Sequence, residues 1–207
     1  MALLNLDHLA VSVETLSQGA AQIETQLGIS LPVGGDHPLM GTHNRLTGMG
    51  PELYFEVIAI NPDAPAPKFD RWFNLDRFSG RPRLTNWILN TSDMGAALDA
   101  LPDIYHPPLE LTRDDLRWRM AVPKQGQGLW SIWGPAVIQW DCATHPTQML
   151  PDCGLRLSRL TLHHPDAIEL AETLAPLMPR DTAQFVADDT AKLVATFNGP
   201  NGEMRLE

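Results

Sequence analysis

The chain has 207 residues, 43% of them hydrophobic, with a formal charge of −10. That charge argues against nucleic acid, whose phosphates need clustered Lys and Arg, and no apolar run approaches the ~20 residues that span a bilayer. The start, Met-Ala-Leu-Leu-Asn-Leu-Asp, has no basic region, and only Cys142 and Cys153 are present. The expectation is a cytoplasmic protein with reduced cysteines.

Leu6–Val13 alternates. Leu9, Val11 and Val13 fall on one face of an extended chain, His8, Ala10 and Ser12 on the other. The first face wants a helix against it; the second is small and polar around one imidazole. Leu16, Ala20, Ile23 and Leu27 then form one helical stripe, with Glu14 or Thr15 placed to cap its start and Gly28 to end it. The glycines and prolines between Pro32 and Pro38 read as a loop. Gly41–Leu46 reads as a short strand. Gly48 and Gly50-Pro51 turn the chain into Leu53–Ile60, whose single charge, Glu56, is hemmed in by apolar neighbours. A carboxylate there is costly to bury without a partner. His8, or a metal held by both, would be one.

Prolines 62, 65 and 67 mark a connector. Phe69, Trp72, Phe73 and Leu75 suggest a short helix over a hydrophobic edge, ended by Gly80-Arg81-Pro82. The pattern then restarts. Leu84–Thr91 resembles the first strand, and Ser92 or Asp93 caps a helix carrying Ala97, Leu98 and Leu101. Leu116–Val122 reads as a strand, Gly126 and Gly128 flank a turn, and Leu129–Trp133 and Ala136–Trp140 read as strands. A third passage has a strand at Leu157–Leu162, a helix with Ile168, Ala171 and Leu174, and strands at Lys192–Phe197 and Glu203–Leu206 joined by Asn198–Gly202.

The expected fold is α+β: repeated βαβββ modules forming an open, curved, antiparallel-rich sheet or half-barrel, with helices on its outer face. The expected division is a first module over 1–62, a connector with a short helix over 63–82, a second module over 83–150 and a third βαββ-like unit over 151–207, all packed as one domain.

Three stretches, Leu6–Val11, Gly34–Leu46 and Tyr54–Ala59, resemble the vicinal oxygen chelate superfamily, and within it the glyoxalase-like domain proteins. The resemblance implies paired modules enclosing a cleft. In many members a divalent metal sits there, held by a His on the first strand and a Glu on the last strand of each module. It chelates vicinal oxygens of the substrate and stabilises an oxyanion. His8 and Glu56 match the first module's pair. At the corresponding slots of the second module stand Asn86 and Gln139, and amides are poor ligands for zinc.

The resemblance therefore implies His8 and Glu56 as metal ligands and Glu56 as catalytic base. His43, Asn44, Asn86 and Gln139 become candidates for contacting a small, oxygen-rich ligand. The cofactor is a divalent metal (Zn, Mn, Ni or Fe) or none, and a homodimer is compatible. Two functions follow: a metal-dependent lyase, isomerase or dioxygenase-type enzyme, or a non-catalytic protein that sequesters a small molecule. Blander readings stand beside these. His8 and Glu56 could be a structural pair, His37, His43 and Asn44 turn-capping groups, and Trp87, Trp130, Trp133 and Trp140 core. Arg117 and Arg119 fit an exposed strand face. Cys142, His145, Cys153, His163 and His164 fit no standard zinc spacing. No phosphate loop, dinucleotide fingerprint or nucleophile elbow is present.

Overall fold

A strand with one apolar face and one mixed face separates two layers, and the first strand does this. Leu9, Val11 and Val13 join a large core, while Ala10, one residue away, joins a second, smaller one. The structure is a computed structural model that describes residues 3–126 and 129–207.

The first module runs β1 (Asn5–Ser12), α1 (Leu16–Leu27), β2 (Val33–His37), β3 (Thr42–Gly48) and β4 (Tyr54–Ile60). α1 buries Ala20, Ile23 and Leu27 and stops at Gly28, which adopts the left-handed conformation (φ 63°) that glycine takes without strain. A strap follows, Trp72–Arg77, in 3-10 conformation apart from a kink at Phe73 and Asn74. The second module runs β5 (Arg83–Asn90), α2 (Met94–Ala100), β6 (Leu109–Arg113), β7 (Leu116–Ala121), α3 (Leu129–Trp133) and β8 (Ala136–Trp140).

Together the modules form one eight-stranded sheet, in the order β2-β3-β4-β1-β5-β8-β7-β6. β1 is parallel to β4 and β5 to β8; the other pairings are antiparallel. The sheet curls until its two edges meet: β2 and β6 are in contact, with Gly35 against Arg113. The convex side carries α1, α2 and the large core. The concave side holds Ile58, Ile88, Met120 and Ile138, roofed by Trp72 and Leu75 of the strap. This is the α+β curved sheet expected from the repeated order of elements.

The remaining chain, β9 (Arg156–His163), α4 (Ala167–Leu174), β10 (Gln184–Val186), β11 (Lys192–Gly199) and β12 (Gly202–Leu206), makes a four-stranded sheet ordered β10-β9-β11-β12. It packs on the convex side, where Phe197 meets Phe55 edge-on at 6.1 Å. Its first strand runs parallel to its second rather than its last, so its element order resembles the modules but its pairing does not.

Several expectations are corrected. The stretch expected as a loop, Pro32–Pro38, contains edge strand β2, with a register irregularity between Val33 and Asp36. Leu129–Trp133, expected as a strand, is helix α3; five residues, four of them apolar, carry no period that separates strand from helix. Strand β6 was not anticipated. It follows Pro107-Pro108 and turns into β7 through Asp114-Asp115, with Asp114 at φ 53°. Gly126 sits in a turn; its expected partner Gly128 lies outside the described residues.

Candidate functional site

On β1 and β4, His8 is paired with Tyr54 and Ala10 with Glu56. The His8 and Tyr54 rings stack at 4.2 Å. Glu56 is 5% exposed, with Oε2 3.6 Å from His8 Nε2. That separation is a charge contact rather than a hydrogen bond. Asn44 on β3 completes the cluster: its Nδ2 donates to Glu56 Oε1 at 2.6 Å, and its Oδ1 accepts the Gly35 N–H at 2.9 Å. Gly34 makes this possible, because a Cβ there would lie 2.4 Å from Asn44 Oδ1. His37 lies alongside, its Nδ1 3.1 Å from Thr42 Oγ1.

Behind His8 stands Asp7, 0% exposed. It accepts hydrogen bonds from His8 Nδ1 (2.6 Å), His145 Nε2 (3.0 Å), Trp140 Nε1 (3.0 Å) and Asn90 Nδ2 (3.1 Å). Burial opposes its charge, yet the bonds from His145 and His8 hold its pKa well below the ordinary carboxylate range. Burial likewise opposes a charge on His8, but the Asp7 bond and the charges of Asp7 and Glu56 raise its pKa to about 9. For Glu56, burial is outweighed by the His8 cation and the Asn44 amide, so its pKa falls. Burial pushes His37 down to about 4 and Tyr54 well above its usual value. At neutral pH the site therefore holds a cationic His8 between two carboxylates, with His37 neutral.

These groups wall a small chamber of about 30 Å³, shared with Arg113, Trp118 and Met120. Trp72, Phe73 and Met120 also line an adjoining cavity of about 550 Å³, with Met40, Phe69 and Val122 on its walls.

The structure thus brings His8, Asn44 and Glu56 together, sets Asn86 on the larger cavity and places His43 and Gln139 elsewhere. Asn86 lies on β5 opposite Ala10, donates to Thr85 Oγ1 and lines the larger cavity. Strand alternation turns His43 to the face of β3 away from Asn44. Gln139 accepts the N–H of Met94 at the start of α2 and donates to Asp141, on the helix side of the sheet. The concave positions of β8 are Ala136, Ile138 and Trp140. Of the neighbouring residues, Asp7, His145, Tyr54 and Arg113 were not anticipated as part of the site. Asp7 was the one with a usable signal: a second carboxylate directly beside the strand histidine.

The donor set does not fit a divalent metal. Glu56 Oε1 is taken by Asn44, which leaves His8 Nε2 and Glu56 Oε2, 3.6 Å apart, as the two atoms the first half could offer an ion. The facing half contributes isoleucine, methionine, tryptophan and the cation of Arg113, with no carboxylate or imidazole among these lining residues. Among the described residues no three His, Cys, Asp or Glu side chains assemble as a metal shell.

The family model described as "Glyoxalase-like domain" matches residues 6–178, and the chain belongs to that family. Its paired βαβββ modules are those of the vicinal oxygen chelate superfamily. A hypothetical protein from Staphylococcus aureus has the same fold, with a TM-score of 0.70 and 17% identity, over 91% of this chain and 88% of that one. A methylmalonyl-CoA epimerase from Mycobacterium tuberculosis matches with a TM-score of 0.49 and 15% identity, over 72% of this chain and 95% of that one. No curated protein sequence matches.

Proposed function

We propose that this glyoxalase-like protein binds a small molecule in the concave cavity, using its own polar groups rather than a metal. The ligand's polar end meets Glu56, His8 and Asn44; its apolar body lies along Trp72, Phe73 and Met120. One observation carries this reading. An ionised carboxylate, 5% exposed, stands in a chamber that shares Trp72, Phe73 and Met120 with a largely apolar cavity of about 550 Å³. Packing alone gains nothing from a charge in that place, and the cavity is of ordinary ligand size.

A second reading is favoured by the Asp7–His8–Glu56 line. An ionised carboxylate beside an imidazolium can take a proton from a bound carbon or oxygen acid and return it, with Glu56 as base. In that case the protein is an isomerase- or lyase-type enzyme on the same ligand.

Backbone and indole chemical-shift mapping with a panel of aromatic fragments tests the binding reading. The expected perturbations cluster at Trp72, Trp118, Met120 and Glu56. Perturbations confined to the convex face, or none across the panel, contradict it.

A further inference from the structure

Arg113, the last residue of β6, lies on the chamber wall. Arg71 pairs with Asp76, Arg119 with Asp141 and Arg156 with Asp152, and Arg113 is the arginine that lines the chamber. Arg113 has no hydrogen-bond acceptor or ion-pair partner among the described residues. The neighbouring carboxylates are already engaged, Glu56 by His8 and Asn44, Asp7 by four donors. Arg113 is thus the one charge on the wall left over. Its place there depends on the Gly34-Gly35 pair of β2. A Cβ on Gly35 would lie 2.6 Å from Arg113 Cδ and 2.9 Å from its Nη1. Missing side chains at two consecutive positions let an amide and a guanidinium reach the chamber from the two meeting edges of the sheet. Arg113 also lowers the proton affinity of His37 and Tyr54, so its field reaches across the chamber.

We infer that Arg113 selects ligands bearing a carboxylate or a comparable oxyanion, the anionic head entering the chamber and the apolar body lying over Trp72 and Phe73 in the larger cavity. The chamber, about 30 Å³, has room for about two waters, which the two oxygens of a carboxylate replace. A guanidinium binds such a group through paired, charge-assisted hydrogen bonds. The inference rests on the binding reading above and adds the class of ligand.

The test is calorimetric titration with 3-phenylpropionate and with its neutral amide, against wild type, Arg113→Gln and Arg113→Lys. Wild type is expected to bind the acid at least about tenfold more tightly than the amide, the scale of one charge-assisted pair. Arg113→Gln should bind both alike, and Arg113→Lys should keep part of the preference. Equal affinity of wild type for acid and amide overturns the inference and leaves the cavity reading standing. An acid preference that survives in Arg113→Gln also overturns it. Failure of both probes to bind wild type overturns the inference and the binding reading together. Should Arg113→Gln not fold, the acid-to-amide ratios of wild type and Arg113→Lys decide.

Discussion

The two halves of the eight-stranded sheet share one topology and differ in what they show the cavity. In the first half, β1, β3 and β4 present His8, Asn44 and Glu56, with Asp7 supporting from behind. In the second, β5, β7 and β8 present Ile88, Met120, Ala136 and Ile138. A symmetric frame has been filled asymmetrically: the His8–Glu56 pair lies on one wall, and hydrocarbon with the single guanidinium of Arg113 on the other. Under the proposed binding role such a cleft suits a molecule with two unlike ends rather than an ion held from both sides. The polar network behind the site draws on both halves, since Asn90 of β5 and Trp140 of β8 donate to Asp7 of β1. Asn90, Trp140 and His145 hold Asp7, and Asp7 holds His8.

The comparison can be broken most sharply at Asp7. In Asp7→Asn, a buried acceptor of four hydrogen bonds becomes in part a donor facing other donors. Such losses cost about 3–5 kcal/mol. Chemical denaturation measures this; a loss under about 1 kcal/mol would show that the charge network does not hold the first half together.

The next effect is the pH dependence. The folded-state pKa of His8 is raised to about 9, so its stabilising contribution is complete below the unfolded value near 6.5 and is lost as pH climbs towards 9. His37 has the opposite sign. Its pKa is depressed to about 4, so its contribution is present above about 6.5 and is lost as pH falls towards 4. Stability should peak between these limbs. The alkaline limb should flatten in His8→Gln, and a limb unchanged in that variant contradicts the assignment.

A smaller effect separates the halves again. Gln139 serves the start of α2, so Gln139→Ala should cost about 0.5–1.5 kcal/mol and leave fragment binding unchanged. A loss of binding would move Gln139 back into the cavity. Smallest in stability is Gly35→Ala, expected to cost under about 1 kcal/mol because Arg113 is flexible enough to give way. The same change should weaken 3-phenylpropionate several-fold; undiminished binding would separate Gly35 from the placing of Arg113.

The first half was the more legible in sequence, for physical reasons. β1 and β4 run through a buried layer with one misfit residue each, His8 and Glu56, and α1 carries its own stripe and a glycine stop. Asp7 is visible beside the strand histidine, but strand alternation sends neighbours to opposite faces, whereas the register shift between Leu6 and His8 accompanies a direct Asp7–His8 bond. Gln139 was misplaced by one residue. In a strand, one residue exchanges the faces, and Ile138, apolar and unremarkable in sequence, holds the cavity position. Arg113 and Trp72 reach the site through the meeting of β2 with β6 and the crossing of the strap. These are long-range contacts that no local pattern encodes.

The most direct test asks what holds the His8–Glu56 pair. Thermal melts of chelator-treated wild type and Glu56→Gln are compared with and without zinc, manganese or nickel. The account predicts that the wild-type midpoint is indifferent to every metal, and that Glu56→Gln melts lower by the same margin in all conditions, since the protein's own groups neutralise the pair. A wild-type midpoint that rises by several degrees with one of these ions, and a Glu56→Gln variant that loses the rise, would contradict it.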